Sequence, residues 1–214
     1  ETEEGDIAVR VSLTGFKGGH SGCDIHLQRA NAIKQLFRVL KEAVIHYEAR
    51  LASVEGGSLR NAIPREASAI VTIPAESYDD LCDLVARMED QLLVEFDGIE
   101  PDMHLSAEEV ECPKTEMPED VQDFLIHAIT LCPHGVYRMI PEMPNIVETS
   151  NNLAMIDTKD QKVTVCCLTR SSVESRKEEL QSVIHSAFSL AGADVVFSGA
   201  YPGWKPNFKS PLLK

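Results

Sequence analysis

The stretch from residue 18 to residue 26 reads G-G-H-S-G-C-D-I-H, and its residue types are the best suited in the chain to catalysis or ligand binding. Three glycines surround His20 and permit backbone conformations that residues with a Cβ resist, so the imidazole has little cover. A histidine on such a strand-to-helix turn can reach outward and donate a hydrogen bond to a developing oxyanion. The alternative is a flexible turn with a solvated histidine. The pattern alone favours this alternative, because isolated histidines are rarely catalytic.

Two further polar stretches could contact a small ligand. Asn61 lies just before a strand that Pro64 opens, and its amide can both donate and accept, which suits orienting a peptide or a carboxylate. A turn-capping asparagine is the commoner alternative. Thr149 and Ser150 belong to a run of short polar side chains at a strand entrance, which is compatible with a turn and equally with the polar rim of a binding site.

Arg170 follows the apolar run 163–168. The planar guanidinium can hold a carboxylate through two parallel hydrogen bonds. Its alternative role is an ion pair with one of the 34 acidic residues. Trp204 is the only tryptophan and lies between Pro202 and Pro206, which favours a packing anchor between domains over a substrate platform.

Metal binding within this chain is not expected from the sequence. His20, Asp24 and His26 lie close together, but the remaining histidines are scattered and the six cysteines form no C-x-x-C pair. We expect the cysteines to be reduced thiols of a cytoplasmic protein. The sequence also lacks H-E-x-x-H, G-x-S-x-G and P-loop motifs, so the common hydrolytic machinery is missing from it.

The elements that position these residues follow from hydrophobic periodicity. In the first half we predict strands over 7–14, 51–54, 67–73 and 103–110, with helices over 24–47 and 78–96. In the second half we predict a helix from 118, a strand over 135–140, a hairpin formed by 149–156 and 162–169, a helix over 173–190 and a last strand over 194–198.

Each half therefore holds about two helices and four strands, in the β-α-β-β-α-β order of ferredoxin-like units. We predict an α+β fold in which two such units, residues 7–112 and 113–203, share an antiparallel sheet with helices packed on one face.

Composition excludes several classes of protein. The chain has 214 residues, a formal net charge of −14, 43% hydrophobic and 25% charged residues, which are ordinary values for a folded domain. An acidic chain repels phosphate backbones, so we expect neither a nucleic-acid partner nor a membrane partner. The opening residues E-T-E-E-G-D contain no basic or apolar region typical of a signal peptide, and the first residue is not Met. We therefore expect an excerpt from a longer cytoplasmic protein.

Five segments, taken together, resemble the aminoacyl-histidine dipeptidases, the family of bacterial peptidase D and cytosol non-specific dipeptidase. They are L-T-G-F-K-G-G-H-S-G at 13–22, L-R-N-A-I-P-R-E-A at 59–67, V-E-T-S at 147–150, C-L-T-R-S at 167–171 and G-A-Y-P-G-W at 199–204. Each segment is weak by itself, and five in this order across nearly the whole chain make the resemblance specific.

The resemblance implies a domain arrangement. Members of this family carry two metal ions in a catalytic domain that is interrupted by an inserted lid domain, which also mediates dimerisation. Residues 1–203 match the lid, and 204–214 match the start of the returning catalytic segment. The two ions are zinc, with manganese and cobalt as alternatives, and their ligands lie in flanking sequence. The implied parent is a cytoplasmic dipeptidase for unblocked dipeptides, Xaa-His among them. Its lid alone would be inactive, and a homodimer of the parent would form through the lid.

The resemblance also implies residue roles. His20 matches the lid histidine that stabilises the tetrahedral intermediate. Asn61 and Arg170 match lid residues that contact the substrate, with Arg170 suited to the terminal carboxylate. Thr149 and Ser150 are further candidates for the same rim. Cys23 departs from the family pattern, which usually has glycine there, and implies a less permissive turn.

A rival interpretation from another class is a non-catalytic domain of tandem ferredoxin-like units that binds a small effector or regulates a partner. In that case His20 and Arg170 would be dispensable. Flanking segments rich in His, Asp and Glu would instead favour the dipeptidase.

Overall fold

The computed structural model describes residues 2–3, 5–200 and 202–203. Within those residues there are four α-helices: α1 (Ala32–Tyr47), α2 (Tyr78–Glu95), α3 (Glu119–Leu131) and α4 (Glu174–Leu190). The strands are β1 (Asp6–Thr14), β2 (Gly19–His20), β3 (Arg50–Gly56), β4 (Ala62–Ile63), β5 (Ala67–Pro74), β6 (His104–Val110), β7 (Gly135–Ile140), β8 (Met143–Lys159) and β9 (Lys162–Ser171). Single 3₁₀ turns lie at Ile25–Leu27 and Ala75–Ser77.

Seven strands form one antiparallel sheet in the order β6-β1-β5-β3-β8-β7, with β9 paired to β8. Strand β8 joins the two halves: Ile156 and Asp157 pair with β3, while the start of β8 pairs with β7 and its later part with β9. The first unit, β1-α1-β3-β5-α2-β6, has the predicted β-α-β-β-α-β order. The α+β class with a shared antiparallel sheet is thus confirmed.

The second half differs from the first in its element order, which is α3-β7-β8-β9-α4. The strand predicted over 194–198 does not form, and residues 193–200 have no regular secondary structure. Val195 is partly buried against the core whereas Val196 is 83% exposed, so this segment follows the core surface without a strand partner. The predicted unit boundary at 112/113 falls in the connection between β6 and α3.

The first helix begins later than its periodicity predicts, at Ala32 instead of near Asp24. Gln28 has a left-handed backbone (φ 55°), which ends the 3₁₀ turn and redirects the chain. Asn31 then caps α1, because its side chain accepts a hydrogen bond from the backbone N–H of Lys34. The separation leaves residues 18–31 as a loop rather than as the first turns of a helix.

The core lies between the sheet and a row of helices on one face of it. Alternate residues of β1, Val9, Val11 and Leu13, are fully buried against the helices, whereas Arg10 is exposed. Helix α1 contacts α2 and α3, and α3 contacts α4, so the four helices share a single apolar cluster with the sheet. No helix in the described ranges has the length and apolar character to cross a membrane.

Candidate functional site

His20 lies in the two-residue strand β2, which pairs with β4 to form a small second sheet. Gly18 and Gly19 precede it with φ values of 61° and 144°, so both occupy backbone regions that favour glycine. The imidazole is exposed, as the glycine-rich sequence predicts. Asp24 steadies the turn, because its carboxylate accepts a hydrogen bond from the backbone N–H of His20 at 2.8 Å.

Two main-chain donors fix the protonation pattern of the His20 ring. The backbone N–H groups of Gly22 and Cys23 both donate to Nδ1, at 3.1 and 3.2 Å. Because backbone N–H groups can only donate, Nδ1 must be the acceptor, and the proton of the neutral ring lies on Nε2. The imidazole therefore presents an N–H donor away from its own loop, which is the arrangement an oxyanion needs.

Gly22 brings the imidazole close to Arg170. A Cβ at this position would lie 3.1 Å from Cε1 of His20 and 3.5 Å from Cζ of Arg170, so the imidazole and the guanidinium flank the same glycine. Unlike Gly18 and Gly19, Gly22 has no left-handed φ, and its lack of a side chain serves close approach instead. Cys23 also has an ordinary φ, so the departure from the family pattern there leaves the turn intact.

Asn61 lies beside His20 on the paired segment. Its carbonyl accepts a hydrogen bond from the backbone N–H of Ser21 at 2.8 Å, and the next residue, Ala62, is the register partner of His20. The Asn61 side chain is exposed. Its amide is consequently available for a ligand on the same side of the small sheet as the turn.

Arg170 is held by strand register. It lies near the end of β9 directly opposite Ser150 of β8. Ser150 is 3% exposed, and Thr149 is fully buried with its hydroxyl in a 2.8 Å hydrogen bond to the hydroxyl of Ser171. The two predicted rim residues are thus buried: Ser150 lies opposite Arg170, and Thr149 bonds to the residue that follows it.

A cleft of about 1850 Å³ runs along β9 and receives several of these side chains. Gly22, Asn61, Ser150 and Arg170 line it, and so does Arg60. The cleft is also lined by five carboxylates, so any anion site in it is confined to the end at which the two guanidinium groups lie. The structure therefore brings together four of the five predicted site residues around this cleft and the turn of His20. The fifth, Thr149, is buried and bonds to Ser171, the residue after Arg170.

A buried carboxylate holds the base of the His20 loop. Glu100 is 1% exposed, and its two oxygens accept hydrogen bonds from the backbone N–H groups of Lys17 at 2.8 Å and Ala30 at 3.0 Å. Arg29 donates to the carbonyl of Gly18 at 2.6 Å. Sequence reasoning missed Glu100, because an acidic residue after an amphipathic helix looks like ordinary surface charge.

A polar cluster lies behind the site and contains His134. Its Nδ1 accepts from the backbone N–H of Leu153 at 3.3 Å and lies 3.1 Å from the side-chain nitrogen of Asn31, which also donates to the carbonyl of Leu153. Burial, aided by the nearby charge of Lys34, lowers the pKa of His134 to about 4. The ring is therefore neutral at physiological pH and serves as an acceptor.

The residues described contain no group of three His, Cys, Asp or Glu side chains that could hold a metal ion. His20 and Asp24 use their polar atoms within the turn, and His26 faces solvent. The predicted site residues Asn61, Ser150 and Arg170 offer an amide, a hydroxyl and a guanidinium group, which are not the usual ligands of a zinc ion. Groups of this kind can hydrogen-bond to a polar ligand.

The sequence of residues 11–98, from β1 through α2, matches a family model described as "Peptidase dimerisation domain". The crystal structure of aminoacylhistidine dipeptidase from Vibrio alginolyticus matches 99% of the chain with 43% sequence identity and a TM-score of 0.95. Residues 11–98 are thus similar to a peptidase dimerisation domain. His20 and Asn61 lie within the matched residues, and Arg170, Thr149 and Ser150 lie in the second half.

The chain is also similar to the cytosol non-specific dipeptidase of Escherichia coli strain K12, with 37% identity over 204 residues, or 95% of the chain. The resemblance to aminoacyl-histidine dipeptidases, which five short segments carry, is thus confirmed over nearly its full extent. The chain spans 42% of the length of the Escherichia coli enzyme and 43% of the Vibrio enzyme. The segment 204–214, with Trp204, lies outside the described residues, as does Tyr201.

Proposed function

We propose that residues 1–203 are the lid of a cytoplasmic dipeptidase and that His20, Asn61 and Arg170 contact the dipeptide in its closed site. The observation that carries the proposal is the geometry around Gly22, where an outward N–H donor of His20 and the guanidinium of Arg170 flank one glycine. A short substrate with one scissile carbonyl and one terminal carboxylate needs these two groups at short separation.

Each side chain has a separate task in this proposal. The Nε2–H of His20 donates to the carbonyl oxygen as it becomes an oxyanion, and the main-chain bonds to Nδ1 keep that donor aligned without reorganisation. Arg170 binds the terminal carboxylate through its planar fork. Asn61 orients the peptide group by donating and accepting at once. Ser150 contacts the substrate from the cleft wall. Thr149 holds the end of β9 in place through its hydrogen bond to Ser171.

The nucleophile must come from the remainder of the parent protein. We infer that the parent binds two zinc ions, with manganese or cobalt as substitutes, through ligands outside this chain; bound there, they supply an activated water. We further propose that the parent forms a homodimer through this domain, in keeping with the family description of residues 11–98. Since the lid lacks a nucleophile, we expect the isolated chain to hydrolyse no dipeptide, with or without added zinc.

The test is steady-state hydrolysis by the full-length parent, comparing His20→Ala with His26→Ala and Arg170→Ala with Arg176→Ala. His26 is an exposed histidine of the same loop, and Arg176 is a partly exposed arginine paired with Glu179, so each control removes the same side chain elsewhere. Loss of the oxyanion donor should lower kcat by about 10²–10³-fold. Loss of the carboxylate clamp should chiefly raise KM.

A second substrate sharpens the assignment of Arg170. The wild-type parent should prefer a dipeptide with a free carboxylate over the same dipeptide amidated at its C-terminus, and Arg170→Ala should abolish that preference. Unchanged kinetics in both site variants would leave the domain as a scaffold. The regulatory interpretation would then replace the dipeptidase lid.

A further inference from the structure

Asn152 is a buried amide of β8 that holds the segment carrying Asn61. It is 1% exposed, and its side-chain nitrogen donates to the carbonyls of Arg60 at 3.2 Å and Ala62 at 2.8 Å. An amide nitrogen carries two hydrogens, so both donors are used, one on each side of Asn61. The side chain thereby fastens the segment to the main sheet at the point where Asn61 turns outward.

The same segment supports His20. The small sheet of β2 and β4 has only two register pairs in the described part of the chain, Gly19 with Ile63 and His20 with Ala62. A ladder of this length is not stable without further contacts. The carbonyl that Asn152 binds on Ala62 belongs to the register partner of His20, so the amide lies one residue pair away from the imidazole-bearing backbone.

Asn152 also belongs to the strand that places Arg170. On β8, Ser150 is the register partner of Arg170 and Asn152 that of Leu168, both in β9. Two residues of β8 therefore reach both sides of the site: Ser150 pairs with Arg170 through the backbone, and Asn152 contacts the small sheet through its side chain. The distance between the His20 donor and the Arg170 fork depends on this short piece of strand.

We infer that Asn152 is a positioning residue that fixes the His20 donor relative to the Arg170 carboxylate clamp. The inference rests on the proposed function of those two side chains. In the Asn152→Ala variant, the small sheet loses its fastening to β8 while Arg170 keeps its register. A misplacement of about 1 Å at a reacting group can cost about 10²-fold in rate. We expect kcat for dipeptide hydrolysis to fall by about 10–10²-fold, with KM much less affected because the clamp stays in place.

The experiment uses the full-length parent and two matched variants. Asn151 is the neighbouring residue with the same 1% exposure, and its amide donates to the carbonyl of Pro133 at 2.7 Å, away from the small sheet. Asn151→Ala thus removes an equally buried amide as a control for general destabilisation. Asn152→Asp keeps the shape of the side chain but turns a carboxylate oxygen toward the two carbonyls, so its effect should be at least as large as that of Asn152→Ala.

Two readouts separate positioning from a merely structural role. Amide hydrogen exchange should accelerate over residues 58–63 in the Asn152 variants and not in Asn151→Ala. In a His20→Ala background, Asn152→Ala should lower kcat much less than it does in the wild type, because the donor that it positions is already gone and only its support of Asn61 remains. If Asn152→Ala does not fold, Asn152→Ser, which keeps one hydroxyl donor in the same place, is measured instead under the same criteria.

Additive losses in the double variant, or equal losses of kcat in Asn151→Ala and Asn152→Ala, would overturn the inference. So would unchanged exchange over residues 58–63 in Asn152→Asp. A wild-type parent that hydrolyses no dipeptide would refute the proposed function instead, and the exchange measurement would still decide whether Asn152 holds the small sheet.

Discussion

Acid should destabilise this domain specifically through His134. Its Nδ1 faces two N–H groups, from Leu153 and Asn31, so a proton there would point a third donor at existing donors. Together with burial, this environment keeps the folded-state pKa at about 4, against the ordinary 6.5 of the unfolded chain. Between these pH values the unfolded chain binds a proton that the folded chain refuses. Stability must therefore fall as the pH falls through that window.

The magnitude follows from the two pKa values. One pKa unit corresponds to about 1.4 kcal/mol, so the full effect is about 3 kcal/mol, complete only below the folded-state pKa of about 4. Lowering the pH from about 8 to about 5 should remove about 2 kcal/mol of it. A typical domain is stabilised by roughly 5–15 kcal/mol, so a loss of about 2 kcal/mol is a large share of its stability.

The assay is urea denaturation of the chain at several pH values, for wild type, His134→Asn and His127→Gln. Asparagine can replace Nδ1 with its carbonyl oxygen as an acceptor but does not titrate, so it should flatten the pH dependence by about 2 kcal/mol. His127 is an exposed histidine of α3, and its replacement should leave the dependence unchanged. Other groups titrate alike in all three chains, and their contribution cancels in the comparison. The reasoning fails if wild type and His134→Asn lose the same stability, or if the His134 ring titrates by NMR near 6.5.

Three further substitutions test other parts of the structure. Lys34→Met should cost about 2 kcal/mol in urea denaturation, because the ammonium donates to the carbonyls of Ile129, Thr130 and Cys132 at the end of α3; a loss below about 0.5 kcal/mol would contradict this. Gln161→Gly should stabilise the chain by about 0.5–1 kcal/mol, since Gln161 has a φ of 60° in the β8–β9 turn; a lower thermal midpoint would count against the turn geometry. Gly22→Ala should lower kcat of the parent enzyme more than it lowers the melting temperature, because the new methyl group would press on the His20 ring; equal kcat values would show that the ring has room to move.

The sequence predicts the elements of this fold well where side-chain alternation is strong. The strand of Val9, Val11 and Leu13 and the β8–β9 hairpin occur where periodicity places them, because one face of each is buried against the helices. The late start of α1 could not be predicted, since it depends on the left-handed Gln28 and on the distant Glu100, which binds the Ala30 N–H. Tertiary contacts of this kind leave no periodic signal.

In the candidate site too, the sequence predicts residue types but not the tertiary contacts between them. Residue types and glycine spacing single out His20, and the guanidinium chemistry singles out Arg170, although neither pattern predicts that they flank Gly22. Asn152 falls within a run of short polar residues with no feature that separates it from Asn151. The two amides differ in their partners, which come from segments far away in the chain: Asn151 bonds to Pro133 and Thr169, and Asn152 bonds to Arg60 and Ala62.

The central position of β8 has a consequence for synthesis on the ribosome. Glu55 of β3 pairs with Asp157 of β8, and the ribosome releases Asp157 long after Glu55. At translation rates of about 5–20 residues per second, β3 has no partner on that side for roughly 5–20 s. An open strand edge with unpaired N–H and C=O groups invites pairing with other nascent chains. A cell that produces this protein rapidly should therefore need chaperones that shield its first half until β8 arrives.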